Sequence, residues 1–442
     1  MKTFTMGGVH PEENKLSSQS VIQAIQVPSQ MIVLMNQHLG APATPIVAKG
    51  DKVKVGQLIG EAQSFLCANV HSPVSGTVAK VGDCKDIFGL SKLAVFIDVE
   101  GDEWLDSIDR SADIKRDCDI EPNEIVSKLK EMGIVGLGGA TFPAHIKYNI
   151  PEGKKADYLI INAAECEPYL TSDHRVMVEH AEEVCVGISI LRKALGVKAA
   201  FIGIENNKQH PIEVMTKMAA GFEGLNVVPL KVKYPQGAEK QLISAIVGRR
   251  VPSGKLPIDV GCVVSNVGTA FSVYEAVQKN KPLIENIMTI TGKKLLTQHN
   301  CLVRIGTPYS FIVKQTIGEL PQNTGKLISG GPMMGKAMCN IDAPTVKGAS
   351  SLLVMDEQEA LRKTESPCIR CGKCIEACPM GLQPYLFSLL VKNAKYDEAK
   401  QHNILDCIEC GCCFYTCPAN KPLTDEIRLG KARVRSMMAT KK

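Results

Sequence analysis

Two cysteine runs near the C-terminus carry the most specific chemistry in this 442-residue chain. The first reads Cys368-Ile-Arg-Cys371-Gly-Lys-Cys374-Ile-Glu-Ala-Cys378-Pro379, and the second reads Cys407-Ile-Glu-Cys410-Gly-Cys-Cys413-Phe-Tyr-Thr-Cys417-Pro418. Each is C-x2-C-x2-C-x3-C-P, the bacterial spacing for a [4Fe–4S] cluster; in two-cluster proteins the fourth thiolate of each run crosses to the other cluster. That rule assigns Cys368, Cys371, Cys374 and Cys417 to a first cluster, and Cys407, Cys410, Cys413 and Cys378 to a second. Cys412 sits beside Cys413 but breaks the repeat, so Cys413 is the expected ligand. Paired zinc sites are the alternative, because C-x2-C pairs also serve zinc. Four thiols per run, each run closed by proline, suit a cluster better. A chain with two such runs carries electrons.

A second group of residues is suited to holding a phosphorylated cofactor. Gly136-Leu-Gly-Gly-Ala-Thr-Phe-Pro143 is followed by Lys147. As a dinucleotide fingerprint it fails, because Thr141 stands at the third glycine position and the pattern before it is helical. The physics of a glycine-rich turn remains: backbone N–H groups close on a phosphate and a lysine adds charge. Three further polar loops follow apolar β-like runs: Asn162-Ala-Ala-Glu165-Cys-Glu167-Pro168, Tyr234-Pro-Gln-Gly237-Ala-Glu239 and Asn266-Val-Gly-Thr269. Any one of them alone reads equally well as a capped loop. Four in order match the rule that ligands bind at the carboxyl ends of strands in open α/β sheets.

These residues need elements to position them. The composition is 45% hydrophobic and 22% charged, ordinary for globular domains, and the +5 net charge gives no case for nucleic acid. Nine of the seventeen cysteines fall between 368 and 417, which indicates a metal site and a reducing compartment. No signal peptide is expected at the N-terminus, and the most apolar long window, 185–204, contains Arg192, Lys193 and Lys198. A peripheral protein without a spanning segment is therefore expected. Residues 31–100 read as short β segments between glycine turns and resemble the barrel-sandwich fold of lipoyl and biotinyl carriers. The hairpin Gln63-Ser-Phe-Leu-Cys-Ala-Asn lacks the modifiable lysine of a carrier. From 120 to 275 helical patterns alternate with buried parallel strands, and 285–330 suggests a small β-grasp module. The expected division is a barrel-sandwich module over 1–110, an α/β domain over 111–280, a β-grasp module over 281–335, a connector over 336–360 and a two-cluster domain over 361–442, with a helix between the Cys runs at 382–395.

Taken together the set resembles the NADH-binding flavoprotein subunit of respiratory complex I. It resembles more closely the C-subunit family of the Rnf complex, the ion-translocating ferredoxin:NAD⁺ oxidoreductase. The likeness extends from Gly7-Gly-Val-His-Pro through Gly330-Gly-Pro-Met-Met-Gly335 to both Cys runs. It implies a multidomain α/β protein with FMN, NAD(H) and two [4Fe–4S] clusters, working at the cytoplasmic face of the membrane beside integral membrane and flavoprotein subunits, with ferredoxin reached through the complex. By matching position, Gly136, Gly138, Gly139, Lys147, Asn162, Glu165, Asn266 and Thr269 line the flavin. The resemblance also implies that Phe142, Glu167 and Glu239 face the nicotinamide nucleotide, the two glutamates as catalytic residues, with Tyr234 and Gly237 among the cofactor-binding set. Ala164 and Ala238 stand where complex I has acidic residues. Two rivals stand beside this reading. One is a soluble cobalamin reductase, in which the sandwich module follows the cluster domain. The other is a flavin-less electron relay.

Overall fold

The computed structural model describes residues 1–440. Its central layer is a four-stranded parallel sheet, in spatial order Leu225–Leu230, Ala200–Glu205, Tyr158–Asn162 and Cys262–Asn266. Leu159, Ile160, Ile161, Ile202 and Ile204 are fully buried, as apolar strands covered by helices on both faces must be. The helix Ala181–Leu195 packs against Val267–Gln278 on one face, while Glu239–Val247 covers the other. The amphipathic stretch 121–132 forms the helix Pro122–Glu131, with proline in its first turn and the Glu124 carboxylate accepting from the Glu121 N–H at 2.8 Å.

Before this domain lies the sandwich: one sheet of Gln30–Leu34, Ser91–Val99, Gly76–Lys85 and Lys52–Val53, and another of Thr44–Pro45, Leu58–Glu61 and Val70–His71. Met31, Val33, Ile59, Val70, Val95 and Ile97 fill the space between. Residues 1–24, expected inside this module, leave it. Lys2 pairs beside Leu230, Val9 pairs with Tyr234, and Ile22–Ala24 runs parallel to the edge of a third sheet.

That third sheet is the β-grasp module, and it corrects the expected boundaries. A hairpin of Glu285–Thr291 and His299–Arg304, a helix Tyr309–Thr316 and strands Thr324–Ser329 and Lys336–Ala337 are completed by Ser351–Asp356, which returns to the middle of the sheet. It lies parallel to Glu285–Thr291 and antiparallel to Thr324–Ser329. The segment expected as a connector over 336–360 thus holds the sheet's central strand. Its run Leu352-Leu-Val-Met is apolar without alternation, which is what a strand covered on both faces requires, and periodicity alone does not flag it.

The cluster domain is helical. Pro384–Lys392 packs on Leu423–Thr440 around Phe387, Leu390, Val391, Ile427 and Val434, and it matches the helix expected at 382–395. The two Cys runs share one backbone course. Arg370 and Gly372 in the first run have φ of 56° and 76°, and Glu409 and Gly411 in the second have 57° and 78°. After each Cys-Pro step comes another left-handed residue, Gly381 at 65° and Asn420 at 51°. The sequence repeat is a structural repeat.

Candidate functional site

The glycine loop and the start of the helix Val267–Gln278 enclose a solvent-open cleft of about 400 Å³. Gly136, Gly139, Phe142, Lys147, Asn266 and Thr269 line it, joined by Tyr148 and Ser265. Each wall is fixed from behind. The Gly136 N–H donates to the Phe142 carbonyl at 2.8 Å, closing the turn, and the Leu137 N–H donates to Thr269 Oγ1 at 2.8 Å. Asn266 caps its helix by accepting from the Gly268 and Thr269 N–H groups, a contact worth about 1 kcal/mol. Its Nδ2 donates to Asp173 at 2.7 Å. Gly138 has φ of 73°, and a Cβ there would come within 2.9 Å of Asn266 Nδ2, so the position needs glycine. Lys147 Nζ donates to the Val264 carbonyl at 2.9 Å and reaches Glu239 at 3.5 Å.

The loop N–H groups that follow Leu137, a lysine and the positive end of a helix dipole converge here, and that set suits a phosphate. No Cβ added at Gly139 would meet another atom within 4 Å, so the loop backbone is open to a ligand. The residues therefore fit the phosphate end of a flavin nucleotide.

Asn162 and Gly237 stand together behind the cleft, with Asn162 Nδ2 donating to the Gly237 carbonyl at 2.8 Å. Glu165 Oε1 accepts from the Asp173 N–H at 2.7 Å, while its Oε2 is buried without a hydrogen-bond partner among the described residues. Burial pushes Glu165 up to about 7 and Asp173 up to about 6. Glu165 itself has φ of 46° and Tyr169 has 72°, two left-handed residues in one short loop. Two lysines hold that loop from behind. Lys15 Nζ donates to the carbonyls of Glu165, Glu167 and Leu170 at 2.7, 2.8 and 2.8 Å. Lys208 Nζ, fully buried, donates to the Ala164 carbonyl at 2.7 Å and pairs with Glu205 at 3.6 Å.

Glu167 does not line the cleft. The Tyr234 hydroxyl donates to its Oε1 at 3.1 Å, and the Met333 N–H donates to its Oε2 at 3.1 Å. Burial pushes its carboxyl up to about 7. Tyr234 OH also lies 2.9 Å from the Cys410 carbonyl. The carboxylate expected at the nicotinamide thus stands between the 162–168 loop, the Gly330–Gly335 turn and the second Cys run. Glu239 remains at the surface beside Lys147, with a partly exposed side chain.

The second Cys run meets the flavin-type domain here. Cys378, Cys407, Cys410 and Cys413 line one solvent-open pocket, with Cys412 beside them. Burial, helped by the neighbouring sulfurs of this set, raises the thiols of Cys407, to about 11, and Cys413, to about 12. A bound iron reverses that, because a coordinating thiol is deprotonated outright. The Leu382 N–H points to Cys378 Sγ at 3.4 Å and the Glu409 N–H to Cys407 Sγ at 3.3 Å, contacts of the kind that tune cluster potentials. No three Cys, His, Asp or Glu side chains converge on one ion position among the described residues; a cluster takes its thiolates at separate corners. The four thiols lining the pocket suit such a cluster.

Cys412 shares a hydrogen bond with Cys410, which holds the Cys412 thiol high and Cys410 low, and its Sγ lies 3.9 Å from the Tyr234 carbonyl. The other set differs in exposure. Cys368 and Cys371 are exposed and Cys374 and Cys417 half-buried. Cys374 is raised first by burial, then by Cys417 and Cys371 among its neighbours, so the fourth thiol of the second run lies by the first run. The N-terminal arm closes the junction: the Gly8 N–H donates to the Ala377 carbonyl at 3.0 Å. A Cβ on Gly7 would come within 2.5 Å of the Cys378 backbone.

Comparison with known proteins adds to this geometry. Residues 3–102 match the RnfC barrel sandwich hybrid domain, 129–275 the Nuo51 FMN-binding domain and 360–418 the 4Fe-4S dicluster domain. The chain is 45% identical to the C-subunit of the proton-translocating ferredoxin:NAD(+) oxidoreductase complex of Clostridium ljungdahlii, over 99% of this chain and 95% of that protein. The chain belongs to the C-subunit family of ion-translocating ferredoxin:NAD(+) oxidoreductase complexes. The family's member from the Na(+)-translocating complex of Acetobacterium woodii is 43% identical over 97% of this chain and 96% of its own length. The member from the ion-translocating oxidoreductase complex of Rhodobacter capsulatus is 40% identical over 100% and 85%. Beyond the family, an NAD+-reducing [NiFe]-hydrogenase structure shares the fold at a TM-score of 0.51 and 15% identity, covering 71% of this chain and 63% of that one. As a member of this family the chain is an FMN and iron–sulfur oxidoreductase subunit. No described helix is long and apolar enough to cross a membrane.

Lys15, Lys208 and Asp173 escaped the sequence reading. No motif links them to the loop they serve; only the fold brings Lys15 to Glu165, 150 residues away.

Proposed function

We propose that this chain is the nucleotide-facing redox subunit of a ferredoxin:NAD⁺ oxidoreductase complex, held at the membrane by its partner subunits. When bound, FMN supplies hydride exchange with NAD(H) and release of the electrons singly, and the clusters carry them one at a time. In this reading Lys147 and the loop N–H groups that follow Leu137 hold the flavin phosphate. Asn162, Glu165, Gly237, Asn266 and Thr269 support the bound cofactor, and Phe142 and Glu239 stand on the nucleotide side. Glu167 and Tyr234 act from behind, fastening this site to the second Cys run.

The observation that carries the reading is the order of burial. The pocket of Cys378, Cys407, Cys410 and Cys413 lies against Tyr234 and the 162–168 loop. Cys368 and Cys371 of the other set face outward. Electrons entering from the nucleotide therefore meet the buried set first and leave through the exposed set toward other subunits. The barrel-sandwich module preceding the cluster domain supports this over a cobalamin reductase.

The test is direct. The purified chain, with iron and sulfide reconstituted, should bind FMN, and NADH should bleach the flavin and iron–sulfur absorbance anaerobically. A chain that binds no flavin and is unaffected by NADH would instead be a relay subunit.

A further inference from the structure

We infer that Lys15, a residue of the N-terminal arm, is a positioning residue for the flavin cleft. The inference rests on the flavin reading of that cleft and goes beyond it, because Lys15 lies outside the 129–275 region and touches no cleft-lining side chain.

Glu165 and Tyr169 hold left-handed backbone within five residues, at φ of 46° and 72°. Neither residue type adopts that conformation readily, and each position costs about 1–3 kcal/mol unless its surroundings impose it. Lys15 supplies the imposition. Its ammonium has three N–H donors, and each meets one carbonyl of the loop, at Glu165, Glu167 and Leu170. All three acceptors must point the same way for one cation to satisfy them, so the lysine selects this loop conformation over its alternatives.

The arm is fixed around Lys15. The Tyr169 N–H donates to the Glu13 carbonyl at 2.9 Å, and Ser17 Oγ lies 2.6 Å from Thr171 Oγ1. Asn300 Nδ2 donates to the Ser17 carbonyl at 2.8 Å. The consequence reaches the cleft by a short chain of contacts. The held loop places Glu165 Oε1 on the Asp173 N–H, and Asp173 Oδ2 accepts from Asn266, whose other side-chain atom caps the helix that opens on the cleft. Without Lys15 the left-handed pair relaxes, Glu165 swings away and the Asp173–Asn266 contact loses its support.

The experiment uses the full chain with reconstituted clusters. FMN affinity is measured by flavin fluorescence for wild type, Lys15→Met and Lys15→Arg, together with iron content, the thermal transition and the split of KM and kcat for NADH with an artificial acceptor. Loss of one charge-assisted cluster of bonds predicts FMN binding weakened roughly tenfold or more in Lys15→Met. Iron content and a cooperative transition are retained, and Lys15→Arg recovers most of the affinity. The NADH KM is expected to rise with kcat little changed at saturating flavin. Wild-type affinity in Lys15→Met would overturn the inference. Equal weakening in both variants, or loss of the cooperative transition in Lys15→Met, would do the same, since either would make the lysine a packing element only. A wild-type chain that binds no FMN would instead overturn the flavin reading itself.

Discussion

Cys412 and Cys413 are adjacent in sequence yet pack into different surroundings. Cys413 joins the helical core with Phe387, Leu423 and Ile427, near Cys374, Cys407 and Cys417. Cys412 packs toward the flavin-type domain with Val9, Tyr234 and Ala377. The C-x2-C-x2-C spacing favours Cys413 as the ligand. Iron analysis of the purified variants should therefore find full iron in Cys412→Ala and the loss of about one cluster in Cys413→Ala; equal loss in both would contradict the assignment. At this scale the cysteines were legible because cluster ligation imposes a fixed local spacing. So was the glycine loop, where the φ of Gly138 leaves few residue types possible. The place of Glu167 was not legible. Its partners Tyr234 and Met333 lie 67 and 166 residues away, and only the closed fold commits its carboxylate to them.

Lys347 joins two modules at the level of elements. It lies in the turn before the strand Ser351–Asp356, and its Nζ donates to the Asn69 carbonyl of the sandwich hairpin and the Gly133 carbonyl ahead of the glycine loop, both at 2.6 Å. The residue is 1% exposed, and the hydrogen bonds its Nζ makes among the described residues are both to backbone carbonyls. Burial lowers its pKa from 10.5 to about 7. The folded state therefore sheds this proton near pH 7, while the unfolded chain keeps it to about 10.5. Between those values the unfolded state binds more protons, so this group's contribution to stability rises with pH. Denaturant midpoints of wild type and Lys347→Met, measured from pH 7 to 9, should diverge, with wild type gaining up to about 1.4 kcal/mol per pH unit relative to the variant. Parallel curves would show that the lysine stays charged in the fold. The parallel strands of the central sheet were legible as apolar runs between helical patterns. The central β-grasp strand was missed because a short continuous apolar run carries no period, and its parallel partner precedes it by about 60 residues.

For the whole molecule, the arrangement matters more than any one site. The N-terminal arm pairs with the edge of the parallel sheet at Leu230, binds the Cys378 run through Gly8, holds the 165–170 loop through Lys15 and adds Ile22–Ala24 to the β-grasp sheet. Three modules are thereby fixed around one junction, where Tyr234 bonds to both Glu167 and Cys410. The sequence revealed both ends of this path, since each has a motif. The junction has none, because it is assembled from single residues of distant segments. The central claim is that electrons from the nucleotide reach the clusters through a flavin held in the same chain. The measurement that tests it most directly is anaerobic NADH titration of the cluster-reconstituted full chain, with and without FMN, followed by electron paramagnetic resonance of the reduced clusters. Reduced-cluster signals that appear only when FMN is present are the predicted result. Clusters that NADH reduces equally well without flavin, or that stay oxidised while bound flavin is reduced, would contradict it.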